Sequence, residues 1–417
     1  MNIIIRDARI VDEDSSFCNQ IVDLEIENGV ISKIGVNLSN TNHFEELKRD
    51  NLHISQGWFD SSVSFGEPGF EDRETISNGL MVAAKSGFTA VALQPNSEPI
   101  IDNQAHINFV QSKANGFATQ VYPIGALTKN SLGSDLAELF DMKKAGAIAF
   151  GDYNKNIENA NLMKIALQYL QDFDGLLLAF CEDKNLKANG VANEGIIATQ
   201  LGLKGNASLS EEMMVARNLF LLGYTGGKMH IPTISSSKSA FLIKEAKANG
   251  LQISCSVAVH HLTISDAVLV NFDSRHKVLP PLRDKNEQKL LQQLVCDGTI
   301  DCITSDHNPI DIEHKKVEFD LAKNGTIGLE SAFGALHFCL PLNVVIRQLT
   351  NGRAVFGVKK PSISVGNPAN ITLFNPDVRW FFSEENILSK SKNTAFLGNE
   401  MLGKVYGVFN QNQLILA

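Results

Sequence analysis

The chain has 417 residues, 44% of them hydrophobic and 20% charged, a composition of a globular protein longer than one compact domain of ~100–200 residues. A formal net charge of −9 argues against a nucleic-acid or anionic-membrane surface, so neither is expected as a partner. No run of ~20 apolar residues and no signal-type leader is present, and the six dispersed cysteines form no CxxC pair, so the expectation is a cytoplasmic protein with reduced thiols.

Residues 1 to about 55 read as short strands, NIIIRDARIV and QIVDLEIENGVISKIGV. Asn28-Gly29 between alternating runs is a hairpin signal. From Trp58 the pattern becomes strand, loop, helix, repeated. In Trp58–Ser64, Phe59, Ser61 and Val63 alternate with Asp60, Ser62 and Ser64, the period of a half-buried strand. Further strands are predicted at Phe88–Pro95, Gln120–Leu127, Ala147–Asp152, Gly175–Cys181, Gly227–Thr233, Gln252–His260 and Ile300–Asp306. Helices are predicted at Glu74–Ser86, Asp135–Ala145, Asn161–Asp172, Leu209–Leu222, Ser237–Asn249 and Lys285–Cys296. Eight strands alternating with helices predict an α/β fold, a (β/α)8 TIM-type barrel over residues 56–360. The open doubly wound alternative lacks a GxGxxG after its first strand and a GxxxxGK[ST]. After Pro361 strands return, and residues 1–55 and 361–417 are expected to form one discontinuous β-sandwich domain.

A barrel's chemistry sits at the carboxyl ends of its strands. These carry Ser62, Ser64 and Gly66; Gln94 and Asn96; Thr128; Asp152; Phe180 and Glu182; His230; His260 and His261; and Asp306 and His307. A metal hydrolase needs imidazole and carboxylate groups converging on a cation, and Asp152, His230 and Asp306 are three candidates. Each also has a structural reading. Asp306 reads as a cap, His230 as a hydrogen-bonded core histidine, Asp152 as an Asx-turn and Asn96 as a turn former.

The stretches FDSSVSFGEPGFEDRETISNGLMVAAKSGFTAVALQPNSEPIID, AIAFGDYN, KMHIPT, HHLTISD, KVLPPLR, DGTIDCITSDHNPI and GLESA together resemble the dihydroorotases of the amidohydrolase superfamily, in the class related to dihydropyrimidinases and allantoinases. The resemblance spans essentially the whole chain. It implies the same barrel and sandwich, and hydrolysis and closure of the dihydroorotate ring in pyrimidine biosynthesis. It further implies zinc held by two histidines of a first-strand Asp-x-His-x-His-x-Arg, whose arginine takes the substrate carboxylate.

Here Asp60 matches that motif, but Ser62 and Ser64 stand at the histidine positions and Gly66 at the arginine. Phe180 replaces the fifth-strand histidine, Ile310 a trailing eighth-strand histidine and Leu279 a substrate asparagine. Asp152, His230 and Asp306 match residual ligand positions, Asp306 being the vestigial catalytic aspartate; Asn96 and His307 match the substrate shell. Bound zinc lowers the pKa of water from 15.7 to about 7, and a neutral serine hydroxyl does not replace imidazole as its ligand. The expectation is therefore a pseudoenzyme with no cofactor, forming a homo-oligomer or acting as a structural or regulatory partner of aspartate transcarbamoylase. The alternative is an active metal-dependent dihydroorotase or related cyclic-amide hydrolase, binding zinc at the reduced site.

Overall fold

The computed structural model describes residues 1–417. Eight parallel strands, β1 (Trp58–Val63), β2 (Phe88–Leu93), β3 (Gln120–Gly125), β4 (Ala149–Phe150), β5 (Leu176–Leu178), β6 (Lys228–Ile231), β7 (Ile253–Ala258) and β8 (Cys302–Thr304), follow one another in sequence order around a barrel. The predicted strands all form, in shorter versions. Every residue of β1 is buried, so the half-buried reading of this strand is corrected. A barrel strand has one face in the interior and the other under helices, and neither meets water.

Closure brings β8 back to β1. Ser64 N donates to His307 O at 2.7 Å, and Val63 and His307 form a parallel bridge. Asp60 ties the seam from inside. Its Oδ2 accepts from Ser305 N at 2.9 Å, and its Oδ1 accepts from Ser62 N at 3.1 Å and from the Thr304 hydroxyl. The carboxylate is fully buried, and loss of hydration pushes its pKa up while these donors pull it down.

The surrounding helices follow the predicted apolar faces, with three corrections. The first runs Ile76–Lys85 rather than from Glu74, because the Thr75 side chain caps it by accepting from Asn78 N. Only Leu139–Lys144 of the predicted Asp135–Ala145 is helical. Upstream, Lys129 N donates to Asp135 O at 2.9 Å and Ala137 N to Leu127 O at 3.0 Å, so that backbone is paired away from a helix. His260 and His261 lie in a short helix, Val259–Thr263, after β7 has ended. Gln104–Lys113, capped by Asn103, is a further helix without a strong apolar stripe in the sequence.

The chain ends meet in one sheet. Strands Ile3–Ile10, Ile21–Glu27, Val30–Gly35, Glu45–Leu47 and His53–Gln56 join Ile371–Phe381, Glu400–Asn410 and Gln413–Leu416. Its own apolar core includes Ile3, Ile5, Leu24, Ile26, Ile54, Ile371 and Phe409. The predicted hairpin forms with Asn28 and Gly29 both at positive φ, 51° and 80°, as a two-residue type I′ turn requires. Residues 389–393 leave this sheet and rest on the barrel, where Lys390 N donates to Glu74 and Ser391 to the Arg73 carbonyl. No helix is long and apolar enough to cross a membrane.

Asp60→Ala is expected to lower the unfolding free energy by roughly 2–4 kcal/mol, since it strands three buried donors at the seam. Urea unfolding followed by the fluorescence of buried Trp58 measures it, and an unchanged midpoint would contradict the role given to Asp60.

Candidate functional site

The carboxyl-end mouth of the barrel is a hydrogen-bonded chain of side chains. Gln94 Nε2 donates to Ser62 Oγ at 3.1 Å, Ser62 Oγ donates to Asp306 Oδ1 at 3.1 Å, and Tyr153 OH approaches the same oxygen at 3.4 Å. Beside it Ser64 Oγ donates to Asn96 Oδ1 at 2.9 Å. The space left between Ser62, Gln94, Tyr153, Leu178 and Thr233 is about 10 Å³, room for about one water. Burial, with the charge of Asp60 adding to it, pushes Asp306 up to about 7 against the opposing Ser62 and Tyr153 bonds. Near neutral pH this carboxyl is thus divided between its acid and its anion.

Sequence proximity did not foretell which residues converge. Asp152, at the end of β4, turns to Thr128, accepting from its backbone N at 3.0 Å and from its hydroxyl; this is the turn-forming reading. His230 is clasped between two serines of β7, Nδ1 against Ser254 Oγ at 2.8 Å and Nε2 against Ser256 Oγ at 3.0 Å. Its ring packs 5.2 Å from Phe356, and burial drives its pKa down to about 3; this is the core-histidine reading. Of the three proposed ligands only Asp306 faces the mouth chain, and no group of three or more His, Cys, Asp or Glu side chains is placed to hold a metal ion.

His307 is also internal. Its Nδ1 accepts from the backbone N–H of Gly328 at 3.2 Å and of Leu329 at 3.4 Å, and its ring meets Phe65 edge-on at 6.0 Å. Burial holds it down at about 4, so it is a neutral strut between the ends of β1 and β8. His261 Nε2 donates to Pro280 O at 3.0 Å. Phe180 is buried just beyond β5, and Glu182 behind it pairs with Lys187 at 2.6 Å.

The residues not foreseen are Tyr153 and Thr233. Tyr153 directly follows Asp152, and with φ of 54° its backbone is in the left-handed region that re-aims a side chain. Thr233 and Asp306, both at φ 48°, are in the same region, uncommon for non-glycine residues. The one signal in the sequence was a hydroxyl-bearing ring at a strand end.

Gly66 lies in a tight turn of the neighbouring loop. Phe70 N donates to Gly66 O at 2.8 Å, and a Cβ added at Gly66 would lie 1.9 Å from the Phe70 carbonyl oxygen. The turn as folded admits no side chain there.

A family profile described as "Dihydro-orotase-like" matches residues 53–239. A dihydroorotase of Pelotomaculum thermopropionicum is 40% identical over 410 residues, covering 97% of this chain and 96% of that protein. One from Syntrophus aciditrophicus is 36% identical over 424 residues, covering 100% and 99%. The chain belongs to the dihydroorotase family. The fold agrees with solved hydantoinases: L-hydantoinase from Arthrobacter aurescens superposes with a TM-score of 0.86 at 18% identity, over 100% of this chain and 96% of that one.

Within the dihydroorotase family, zinc is the metal that the resemblance implies, and the donors present here do not fit it. Ser62 is already engaged with Asp306 and Gln94, Asp152 with Thr128 and His230 with Ser254 and Ser256. Freeing them costs hydrogen bonds in a buried site, and the hydroxyls are poor ligands once freed.

The Asp306 carboxyl gives a pH signature. Its folded pKa of about 7 lies above the ordinary value of 3.8, so between pH 4 and 7 the folded state binds a proton that the unfolded state has released. Its contribution to stability is therefore full below pH 4 and is lost as pH rises through 7. Asp306→Asn, which cannot ionise, is expected to gain stability relative to the native chain progressively from pH 4 to 7 and to level off above. Unfolding midpoints of both proteins across that range measure it, and a difference independent of pH would contradict it.

Proposed function

We propose that this is a dihydroorotase-like protein of pyrimidine biosynthesis that has lost catalysis and acts in the cytoplasm, self-associating or serving as a structural or regulatory partner of aspartate transcarbamoylase. The observation that carries the loss of catalysis is the filled mouth. A ring-shaped substrate needs a cavity of about 300 Å³ or more, and the space lined by Ser62, Gln94, Tyr153 and Thr233 is about 10 Å³; the neighbouring cleft of about 380 Å³ is lined by Asp152 and Glu182 and by neither Ser62 nor Asp306. The relatives named dihydroorotase support the pathway. The partner comes from the family resemblance: an inactive chain of this type is retained for what it holds together, and the preceding enzyme of the pathway is the natural neighbour.

The rival reading, a hydrolase working through a reduced metal site, needs donors aimed at Asp306. Asp152 and His230 are aimed at Thr128 and at Ser254 and Ser256 instead.

Purified protein with added zinc is expected to show no dihydroorotate hydrolysis or carbamoyl-aspartate cyclisation; turnover above ~1 s⁻¹, the ordinary enzyme range, would overturn the reading. Affinity purification from the native cell is expected to recover aspartate transcarbamoylase, and its absence would remove the partner while leaving the loss of catalysis standing. Gly66→Arg, which restores the family's residue, is expected to destabilise the fold by about 1–3 kcal/mol through overlap with Phe70, without activity. A variant as stable as the native chain would show that the loop still accepts the arginine.

A further inference from the structure

A cavity of about 250 Å³ lies where the terminal sheet meets the barrel. Three separate pieces of chain build it. Asp12, Glu13 and Asp14 form the turn after strand Ile3–Ile10, Gln56 ends the strand that leads into β1, and Arg347 projects from the helix Leu342–Val355. None of these residues belongs to the mouth chain of Ser62 and Asp306.

Two buried oxygens in this wall have no donor from the protein. Gln56 Nε2 donates to Asp12 Oδ1 at 2.9 Å, and Asp14 N donates to the same oxygen at 3.1 Å. Asp12 Oδ2 and Gln56 Oε1 are both buried and accept from no protein group. Their residues line the cavity and are only 7% and 3% exposed. Buried acceptors are nearly always satisfied, and an exception points to a water or an ion. Burial pushes the Asp12 carboxyl up against the opposing Gln56 and Asp14 bonds, so its anion gains from any positive charge placed at Oδ2.

The charges in the wall favour the ion. Asp12, Glu13 and Asp14 are three consecutive carboxylates, faced by Arg347 and Lys360. Arg347 donates to the carbonyls of Val295 at 3.4 Å and Cys296 at 3.1 Å. Lys360 pairs with Asp14 Oδ2, at the more exposed edge of the turn. Neither cation reaches Asp12 Oδ2.

We propose that this cavity binds one hard divalent cation, Mg²⁺ or Ca²⁺, through Asp12 Oδ2 and Gln56 Oε1, with water in its remaining coordination positions. Both ions take oxygen ligands, and Mg²⁺ in particular is held by one or two carboxylates while keeping several waters. Four waters at ~30 Å³ each need roughly 120 Å³, which the cavity admits. The ion ties the turn that leaves the sheet's first strand to the strand that feeds the barrel, a role independent of any chemistry at the mouth.

The experiment is a titration of the chelator-treated full chain with Mn²⁺, the free ion being read by electron paramagnetic resonance. One Mn²⁺ is expected per chain with a Kd of about 10⁻⁴–10⁻³ M, the range of weakly charged oxygen sites, and Mg²⁺ or Ca²⁺ is expected to displace it. Asp12→Asn keeps an oxygen for the Gln56 and Asp14 bonds but puts an amide at the other position, and is expected to weaken binding about 10-fold or more. Lys360→Met, on the exposed rim, removes a like charge and is expected to tighten binding about 3-fold. Asp306→Asn is expected to leave the Kd unchanged. Thermal unfolding is expected to shift upward in Mg²⁺ or Ca²⁺ relative to NaCl of equal ionic strength. No bound Mn²⁺ at 1 mM overturns the proposal. So does binding that ignores both Asp12→Asn and Lys360→Met, or that is lost in Asp306→Asn. Should Asp12→Asn fail to fold, the tightening in Lys360→Met decides. Zn²⁺ bound far more tightly than Mn²⁺, and lost on Cys18→Ser, would assign the cavity to a soft metal and overturn the hard one.

Discussion

The mouth of the barrel depends on one buried carboxylate. Asp60 lies where water does not reach, which raises its pKa, and it is tolerated because three donors from β1 and the end of β8 converge on it. Removing a charge from water costs several kcal/mol, so such a group persists only where the fold satisfies it. The same atoms that close the seam fix the direction in which Ser62 and Asp306 leave their strands. Asp60 also adds its charge to burial in raising the Asp306 pKa, so seam and mouth are one electrostatic unit. A seam of this kind is indifferent to what fills the mouth, and its strands can keep their register while the residues beyond them change.

What fills the mouth follows from polar groups satisfying one another. The Gln94–Ser62–Asp306–Tyr153 chain gives each hydroxyl and carboxyl a neighbour. A buried carboxyl lacking both a metal and a donor would be costly. Serine at position 62 donates to Asp306 while accepting from Gln94, and Tyr153 approaches the same Asp306 oxygen. These side chains therefore form a mutually satisfied set. At Gly66 the constraint is in the backbone, because the Phe70 carbonyl occupies the space that a side chain would need.

The fold was legible from the sequence because its signals are local and repeated. Eight apolar strands alternating with amphipathic helices name a barrel, and Asn-Gly names its hairpin. The site was legible only in part. The listing of strand ends found Ser62, Gln94 and Asp306, all of which meet in the mouth. It could not say that Asp152 would turn to Thr128 or that His230 would sink between Ser254 and Ser256, because a side chain's direction at a strand end depends on one or two backbone angles. Tyr153 and Thr233 escaped notice for the same reason: their left-handed φ values leave no mark in composition or periodicity. The tight turn at Gly66, closed by the Phe70 carbonyl, likewise leaves no mark in the residue pattern beyond the glycine itself.

The interior and exterior of this barrel therefore carry different constraints. Inside, Asp60, His307 and His230 are bonded to the strands and loops around them, roles that serve the fold whether or not a reaction occurs. Histidines held neutral by burial, at about 4 for His307 and about 3 for His230, keep those bonds throughout the physiological range, since neither charges until the pH is far below neutral. Outside, nothing in the fold requires Phe220 and Tyr224 to be aromatic, for neither supports the core; an exposed ring of this size gains stability only when something covers it.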